Sequence, residues 1–595
     1  MQSRDDDTPR WFDRYPIAVA VGLSLLSLAL RWVVGREWSD SLYGSQLMPD
    51  EQVYDLCARA LAAGEPVGPI LGFATTIPAT VFSVVYRVLG HDVLAVRSLN
   101  TVLGAATCFA SFFIGRALGN ARIGLVACTV SCFCGPLALA SVTVHKTALG
   151  LLFTGAGVAL GVGLITNPTW LAAASSGGLL ALAAHVRGNV LALLVVAPIA
   201  YWAVCRNTHP PRRLLTAAAA YVLGACLVLF PLAEDGPLGL PEPGFNLYFG
   251  NTLDNPTPYY VPARFAPAAP SMQAGGFVLK ASIEEGRTLT TSEARAHYNH
   301  ALLAQWRDDP RKALSKLVAK VSGSLNAWEP AHNHQPDVVS RHVRSLDLAF
   351  LGFGALFPFA LLGAIRHRSS PQAHWLIALS IAYWATLMLF FTDVRLRAPL
   401  CLLLCPIAAA GLLSIRNLRD LARAAPILLV GLALTRIPTP GTDDLSTAEN
   451  YHALFLLDTG ELDQAWNHYL ASRRAHGVDS ESALLGLASV STRDGDLDKA
   501  LRLLKRFDES HYNASSRYEH LGATYVRQHA FTKAADAYER ALAINPALLR
   551  VYPVLELVYR RISHPDRAAD TKRRAEYAAS FFPEAFRPAP RPPPP

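Results

Sequence analysis

Residues 214–233 read LLTAAAAYVLGACLVLFPLA, twenty positions without one charged side chain. A helix of that length rises about 30 Å, which matches the hydrocarbon core of a bilayer. Ten further apolar runs of this kind surround it, at Ile17–Val34, Val93–Gly115, Ile123–Val142, Thr147–Ile165, Trp170–Ala184, Val190–Cys205, Leu346–Ile365, His374–Phe391, Pro399–Ile415 and Pro426–Thr435. Some are shorter than twenty residues. Apolar residues make up 51% of the 595 and charged residues 17%, against roughly 25% charged in an average soluble protein. This balance excludes a disordered chain and points to one whose solvent is largely lipid. The net charge of +8, from 54 basic and 46 acidic residues, is too mild to imply nucleic acid. Eight of the nine cysteines fall inside apolar runs, where thiols act as small hydrophobes, so no disulfide framework is expected.

Loop charge sets the expected topology. Ile70–Leu89 is apolar enough to span, yet it holds Pro78 and ends in Arg87-Val88-Leu89-Gly90-His91-Asp92. Taken as an interfacial helix on the outer surface, it leaves the basic loops Arg116–Arg122, Arg206–Arg213, Arg366–Arg368 and Arg416–Arg423 on the cytoplasmic side, together with Arg4, Arg10 and Arg14. Taken as a span, it moves those four loops outside. The positive-inside rule selects the first arrangement. It gives eleven spans, the first of them (Ile17–Val34) a retained anchor, with a cytoplasmic N-terminus at 1–16, a transmembrane domain over 17–437, and outer loops at about 35–92 and 234–345. Gly236, Pro237, Pro241, Pro243, Pro256 and Pro258 break the early part of the second loop.

Beyond Pro438 the chain becomes water-soluble in character and repeats itself. Gly522-Ala523-Thr524-Tyr525, then Ala534, Tyr538, Ala541 and Pro546, follow the tetratricopeptide (TPR) spacing. Ala465, Ala500 and Ala534 are 35 and 34 residues apart, with Gly460, Gly495 and His529 at the expected turns. About three repeats over 445–582, with a capping helix near Arg567–Phe582, would stack into a short α-solenoid with one concave face. Either an oligomerisation module or a binding surface for a partner fits this. Residues 583–595 are proline-rich and expected to be disordered. The fold class expected is therefore all-α: a polytopic membrane protein with a C-terminal helical solenoid.

Charges at a membrane surface are costly to desolvate and mark function by default. Arg97, Lys146, Arg187, Arg395 and Arg397 violate positive-inside at the outer ends of spans, a pattern suited to holding an anion; the plain alternative is that each snorkels to lipid headgroups. Met48-Pro49-Asp50-Glu51 places adjacent carboxylates at a helix start, either as base or metal ligand, or as an ordinary N-cap. His332-x-His334 lacks a nearby third ligand, and no metal is expected there. The Asp5-Asp6-Asp7 run needs no ligand. No phosphate-binding glycine loop, G-x-S-x-G or H-E-x-x-H occurs.

Four stretches together resemble a known family: Asp50-Glu51-x-x-Tyr54-x-x-x-Ala58 with Gly64; Gly90 through Val96-Arg97-Ser98-Leu99-Asn100 and Gly104; Phe245-Asn246-Leu247-Tyr248-Phe249-Gly250-Asn251; and Asp393-Val394-Arg395-Leu396-Arg397-Ala398-Pro399. In their order and outer placement they resemble the GT-C membrane glycosyltransferases, especially bacterial relatives of the protein O-mannosyltransferases and lipid A aminoarabinose transferases (glycosyltransferase family 39-like). The resemblance implies a polyprenyl-phosphate-linked sugar donor at the outer face of a bacterial inner membrane, with the repeats extracytoplasmic. It implies that Asp50 takes the acceptor's proton and Glu51 positions Asp50 or the acceptor. Arg395, Arg397, Arg187, Lys146 and Arg97 would neutralise the donor phosphate. Tyr54, Asn246, Tyr248, Asn251 and Glu329 would shape the sugar or lipid-head pocket. Some relatives carry a second acid in the next outer loop; here that loop reads Val142-Thr143-Val144-His145-Lys146-Thr147 without a carboxylate, so no essential metal and no cofactor are expected. The expected partners are membrane lipid, the lipid-linked sugar and a protein or peptide acceptor on the repeat groove. A non-catalytic scaffold displaying the repeats, or a transporter of lipid-linked sugars, are the competing readings.

Overall fold

The structure is a computed structural model and describes residues 14–67, 75–235, 244–267, 269–330, 333–349, 351–475, 477 and 479–582. The expectations placed on Asp5-Asp6-Asp7, residues 70–74, Gly236, Pro237, Pro241, Pro243, His332 and the proline-rich tail lie outside these residues. Among the described residues the chain is helical, with one isolated bridge between Cys134 and Leu351 and no strand.

Among the described residues six helices are long and apolar enough to cross a membrane: Pro16–Asp40, Val93–Leu118, Gly188–Cys205, Pro211–Leu232, Pro371–Leu389 and Val394–Leu413. Shorter apolar helices run Thr76–Leu89, Ala121–Phe133, Thr147–Gly163, Trp170–Val186 and Phe353–Arg366. Val394–Leu413 forms the centre, almost wholly buried, while Pro211–Leu229 exposes Leu215, Val222, Leu223 and Leu227 on its outer side. That apolar exterior is the surface of an integral membrane protein. Small residues let neighbouring backbones meet: a Cβ on Gly177 would fall 2.1 Å from the Tyr221 carbonyl oxygen, and one on Gly224 2.0 Å from that of Ala174.

Two apolar runs read as continuous are interrupted. The run Ile123–Val142 is two helices, Ala121–Phe133 and Gly135–Val142, because Pro136 cannot donate to a continuing helix. The backbone groups freed at the break pair with Leu351, whose N–H donates to Phe133 O at 2.6 Å and whose carbonyl accepts from Gly135 N at 3.1 Å. Leu351 in turn interrupts the run 346–365, whose long helix starts only at Phe353. Each break satisfies the other's backbone, as a low-dielectric interior demands. Thr76–Leu89 has 14 residues, or about 21 Å of helix, which is less than a bilayer core. It lies along Pro49–Ala63, tied by Tyr86 Oη donating to Asp55 at 2.7 Å.

After residue 445 come four helix pairs: Ser446–Thr459 with Leu462–Arg474, Ser482–Arg493 with Leu497–Lys505, Ala514–Arg527 with Phe531–Ile544, and Val551–Arg561 with Pro565–Ala579. Where the sequence suggested three repeats and a cap, a fourth full pair stands. Its signal was present: Ala568 follows Ala534 by 34 residues and is buried like Ala465, Ala500 and Ala534. Each pair turns through a left-handed residue, at Gly460, Gly495, His529 and Ser563. Tyr469 packs directly on Gly486, where a Cβ would come within 2.1 Å of the ring. Gly486→Ala should therefore destabilise the second pair by about 1–3 kcal/mol through overpacking, read as earlier protease cleavage of the repeats on heating.

The helix pairs are fastened to the segments before Val93 and Phe353. Arg341 donates to Glu449 at 2.7 Å, Tyr43 Oη lies 3.1 Å from His452 Nδ1, and the rings of His342 and His452 stack at 4.4 Å. At the other end Phe582 abuts Gly275.

Candidate active site

Pro49 occupies the first position of the Pro49–Ala63 helix, where its missing N–H costs nothing. Asp50 and Glu51 follow in the first turn, where the helix dipole favours negative charge. Their roles then separate. Glu51 closes a capping box: Oε2 accepts from Met48 N at 3.1 Å, and Oε1 accepts from Val144 N at 2.9 Å. His334 Nε2 stands 3.3 Å from the same carboxylate. Burial raises the Glu51 pKa, but His334, Arg97 and the Met48 N–H outweigh it, so the group is held below the usual carboxylate range. Glu51 thus staples the start of Pro49–Ala63 to the Val142–Thr147 loop.

Asp50 faces a cavity of about 1150 Å³. Its carboxylate contacts the Arg395 guanidinium, whose other arm donates to Asp393 at 3.1 Å. Asp393 also caps Val394–Leu413, accepting from Leu396 N at 2.6 Å. His145 Nε2 is 2.8 Å from Arg395 and 4.0 Å from Asp50, while His145 Nδ1 accepts from Thr147 N at 3.2 Å. Arg187 leaves the end of Trp170–Val186 and donates to Thr147 Oγ1 at 2.6 Å. Its buried Nε has no hydrogen-bond partner among the described residues, nor has that of Arg395. Lys146 precedes Thr147–Gly163 on the same wall. Its ammonium is pushed down to about 7, first by burial and then by Arg187.

The ends of five helices therefore bring Asp50, Tyr54, Lys146, Arg187, Asn246 and Arg395 to one cavity. His145, Asn189, Tyr259, Tyr260 and Trp328 join them unforeseen. For His145 a signal existed, since it sits in the one outer loop where a second acid was sought. The cavity has two arms. One runs along Leu191, Ala192, Val195, Val196, Leu389 and Leu396, on membrane helices that leave Leu191, Val195 and Leu389 exposed. The other is walled by the first helices of three repeats through Asn450, Tyr451, Ser482, Ser489, Asn513 and His520.

Other expected site residues do not line this cavity. Arg397 is wholly buried and donates to Gly323 O, Asn326 O and Trp328 O at 2.9, 3.0 and 3.1 Å, with Glu329 at 3.3 Å. Two residues along a helix turn the side chain about 200°, so Arg395 and Arg397 leave opposite faces. Glu329 spends one oxygen on Arg397 and accepts from Phe353 N at 2.7 Å with the other; burial raises its pKa. Arg97 donates to Tyr43 O at 3.1 Å and Gly44 O at 3.3 Å, joining the loop after the first helix to Val93–Leu118. Asn251 donates to Leu389 O at 2.7 Å and accepts from Lys320 at 2.6 Å. Tyr248 packs between Phe265, Phe277 and Tyr298. Among the described residues no cluster of three or more His, Cys, Asp or Glu side chains has the geometry of a metal site. All nine cysteines are free thiols.

Fold and site together define a helical membrane protein in which Asp50, Lys146, Arg187 and Arg395 line one cavity at the ends of its apolar helices. No protein-family model matches the sequence, and no curated protein does either. Among solved structures the chain is similar to the oligosaccharyltransferase AglB of Archaeoglobus fulgidus in complex with an inhibitory peptide and a dolichol-phosphate, at 12% identity, with 76% of this chain and 60% of that one covered and a TM-score of 0.40. The apo form of the Archaeoglobus fulgidus oligosaccharyltransferase gives 13% identity, 77% and 60% coverage and a TM-score of 0.41. The chain thus spans about 60% of the length of these two structures.

Proposed function

We propose that the protein is a GT-C-type membrane glycosyltransferase, moving a sugar from a polyprenyl-phosphate donor to a hydroxyl acceptor at the extracytoplasmic face. The observation that carries this reading is a buried carboxylate held by Arg395, with Lys146 and Arg187 beside it, in a cavity one arm of which is an apolar wall on membrane helices. The apolar arm suits a prenyl chain and the cations suit its phosphate. In the reaction the acceptor oxygen bonds to the anomeric carbon and its proton passes to Asp50. The bond from that carbon to the phosphate oxygen breaks, and the electron pair stays on the phosphate. One base opposite one leaving group favours inversion at the sugar. Without donor, Arg395 contacts Asp50; an arriving phosphate competes for the guanidinium and uncovers the base. The repeat-walled arm offers the acceptor, a protein or peptide segment, a route to Asp50. The eleven-span topology, with the N-terminus inside and TPR-like repeats outside in a bacterial inner membrane, belongs to the same reading.

The test is transfer of labelled sugar from a synthetic polyprenyl-phosphate donor in proteoliposomes. Inverted product and loss of activity in Asp50→Asn support the proposal; full activity in that variant rejects it, as does a product with retained configuration. A scaffold would show neither transfer nor release of sugar from the donor.

Lys146 adds a pH signature. With its pKa near 7 it is charged below that value and neutral above, so donor capture should weaken as pH rises from about 6 to 8. Lys146→Arg, charged throughout this range, should flatten the donor kcat/KM profile there. An unchanged profile would remove Lys146 from donor binding.

A further inference from the structure

The helix Pro310–Leu325 is built inside out. Its outer face carries Leu314, Leu317, Val318 and Val321, exposed by 63%, 40%, 60% and 42%. These positions fall at the i, i+3, i+4, i+7 spacing of one apolar stripe. Its inner face carries Lys316 and Lys320, 2% and 0% exposed. A helix packed in water turns its leucines inward and its lysines outward. Here both lysines find built-in partners: Lys316 Nζ donates to Asn255 O at 2.6 Å and Thr257 O at 2.5 Å, and Lys320 Nζ to Asn251 Oδ1 at 2.6 Å.

The C-terminal end of this helix lies against the membrane bundle. Trp384 Nε1 donates to Ser324 Oγ at 2.8 Å, five residues before the outer end of Pro371–Leu389 and so roughly 8 Å below it. The same membrane helix exposes Ile381 and Leu389, which continues the apolar surface. Arg397 donates to Gly323 O in the last turn of the helix, which satisfies one of its terminal carbonyls. At the other end Arg311 and Lys312 are exposed.

We propose that Pro310–Leu325 is a half-membrane helix: it enters the outer leaflet from its basic N-terminal end and presents Leu314, Leu317, Val318 and Val321 to acyl chains. The segment counted by sequence as part of an aqueous outer loop is then lipid-bound. Through Lys316 it also holds the Asn255–Thr257 turn at the cavity wall, so the bilayer buttresses the site.

The test uses nitroxide labels at Val318→Cys and Leu314→Cys in the full chain, reconstituted in phosphatidylcholine vesicles, with Arg307→Cys as the aqueous reference. Relaxation by oxygen, which partitions into lipid, is compared with relaxation by a water-soluble nickel complex. The oxygen-to-nickel ratio at 318 and 314 should exceed that at 307 by about tenfold. Nickel access at 318 and 314 equal to that at 307 would overturn the proposal in favour of an aqueous loop. Protection from both agents with dipolar broadening would overturn it in favour of a second copy of this chain. The readout does not depend on sugar transfer, so it stands or falls separately from the proposed activity.

Discussion

Asp50→Asn should lower the rate of sugar transfer by about 10²–10⁴-fold while leaving the chain folded and inserted, the range lost when a positioned base is removed. Asparagine keeps the size of the side chain and an oxygen that accepts from Arg395, so the geometry of the loop survives. What disappears is the charge that draws the acceptor's proton. Glu51, one position along, separates the two functions of this turn. Its oxygens are taken by Met48 N, Val144 N and His334, so Glu51→Ala should act on stability, at about 2–4 kcal/mol for a buried, multiply bonded carboxylate. Thermal unfolding in detergent beside a transfer assay tells them apart. Equal loss of activity and equal loss of stability in both variants would show that Asp50 is a cap and nothing more.

Arg395→Gln has the other large expected effect, and it is double. Removing the guanidinium leaves Asp50 and Asp393, both buried, without the cation they share, which costs about 3–5 kcal/mol for a broken buried pair. It also removes one of three groups placed to meet a leaving phosphate, at about 10²–10³-fold in rate. The two losses come apart in a double variant. Asp50→Asn combined with Arg395→Gln should regain part of the stability, with a coupling of about 1–3 kcal/mol, and none of the activity. By contrast Arg397→Gln should act on folding alone, because its donors serve backbone carbonyls and Glu329. Sugar transfer lost in Arg397→Gln at unchanged thermal stability would return Arg397 to the donor site.

The apolar helices were legible because each apolar run reports its own environment, and among the described residues six of them are long enough to cross a bilayer. The breaks at Cys134 and Leu351 were half legible. Pro136 announced the first, but only the backbone pairing with Leu351 explains why a lipid-embedded chain tolerates it. The repeats were readable from alanines at 34-residue spacing, and the fourth pair was missed although Ala568 keeps the period. The inward turn of Lys316 and Lys320 was not legible, for a different reason. Lysines advertise water, and nothing local reveals that these two point inward.

The sequence alone determined that the apolar runs and the alanine-spaced pairs after residue 445 are helical and that Asp50 begins a helix. These are local properties, set by side-chain polarity, helical period and capping over a few turns. Only the tertiary structure decided which of five basic residues meet the acid. Arg395 and Arg397 share a composition, a loop and an expected role, yet leave the same helix on opposite sides. One reaches the cavity and the other donates to the last turn of Pro310–Leu325. That choice depends on which neighbours face each side of Val394–Leu413, and packing between distant segments is not written in the residues beside them.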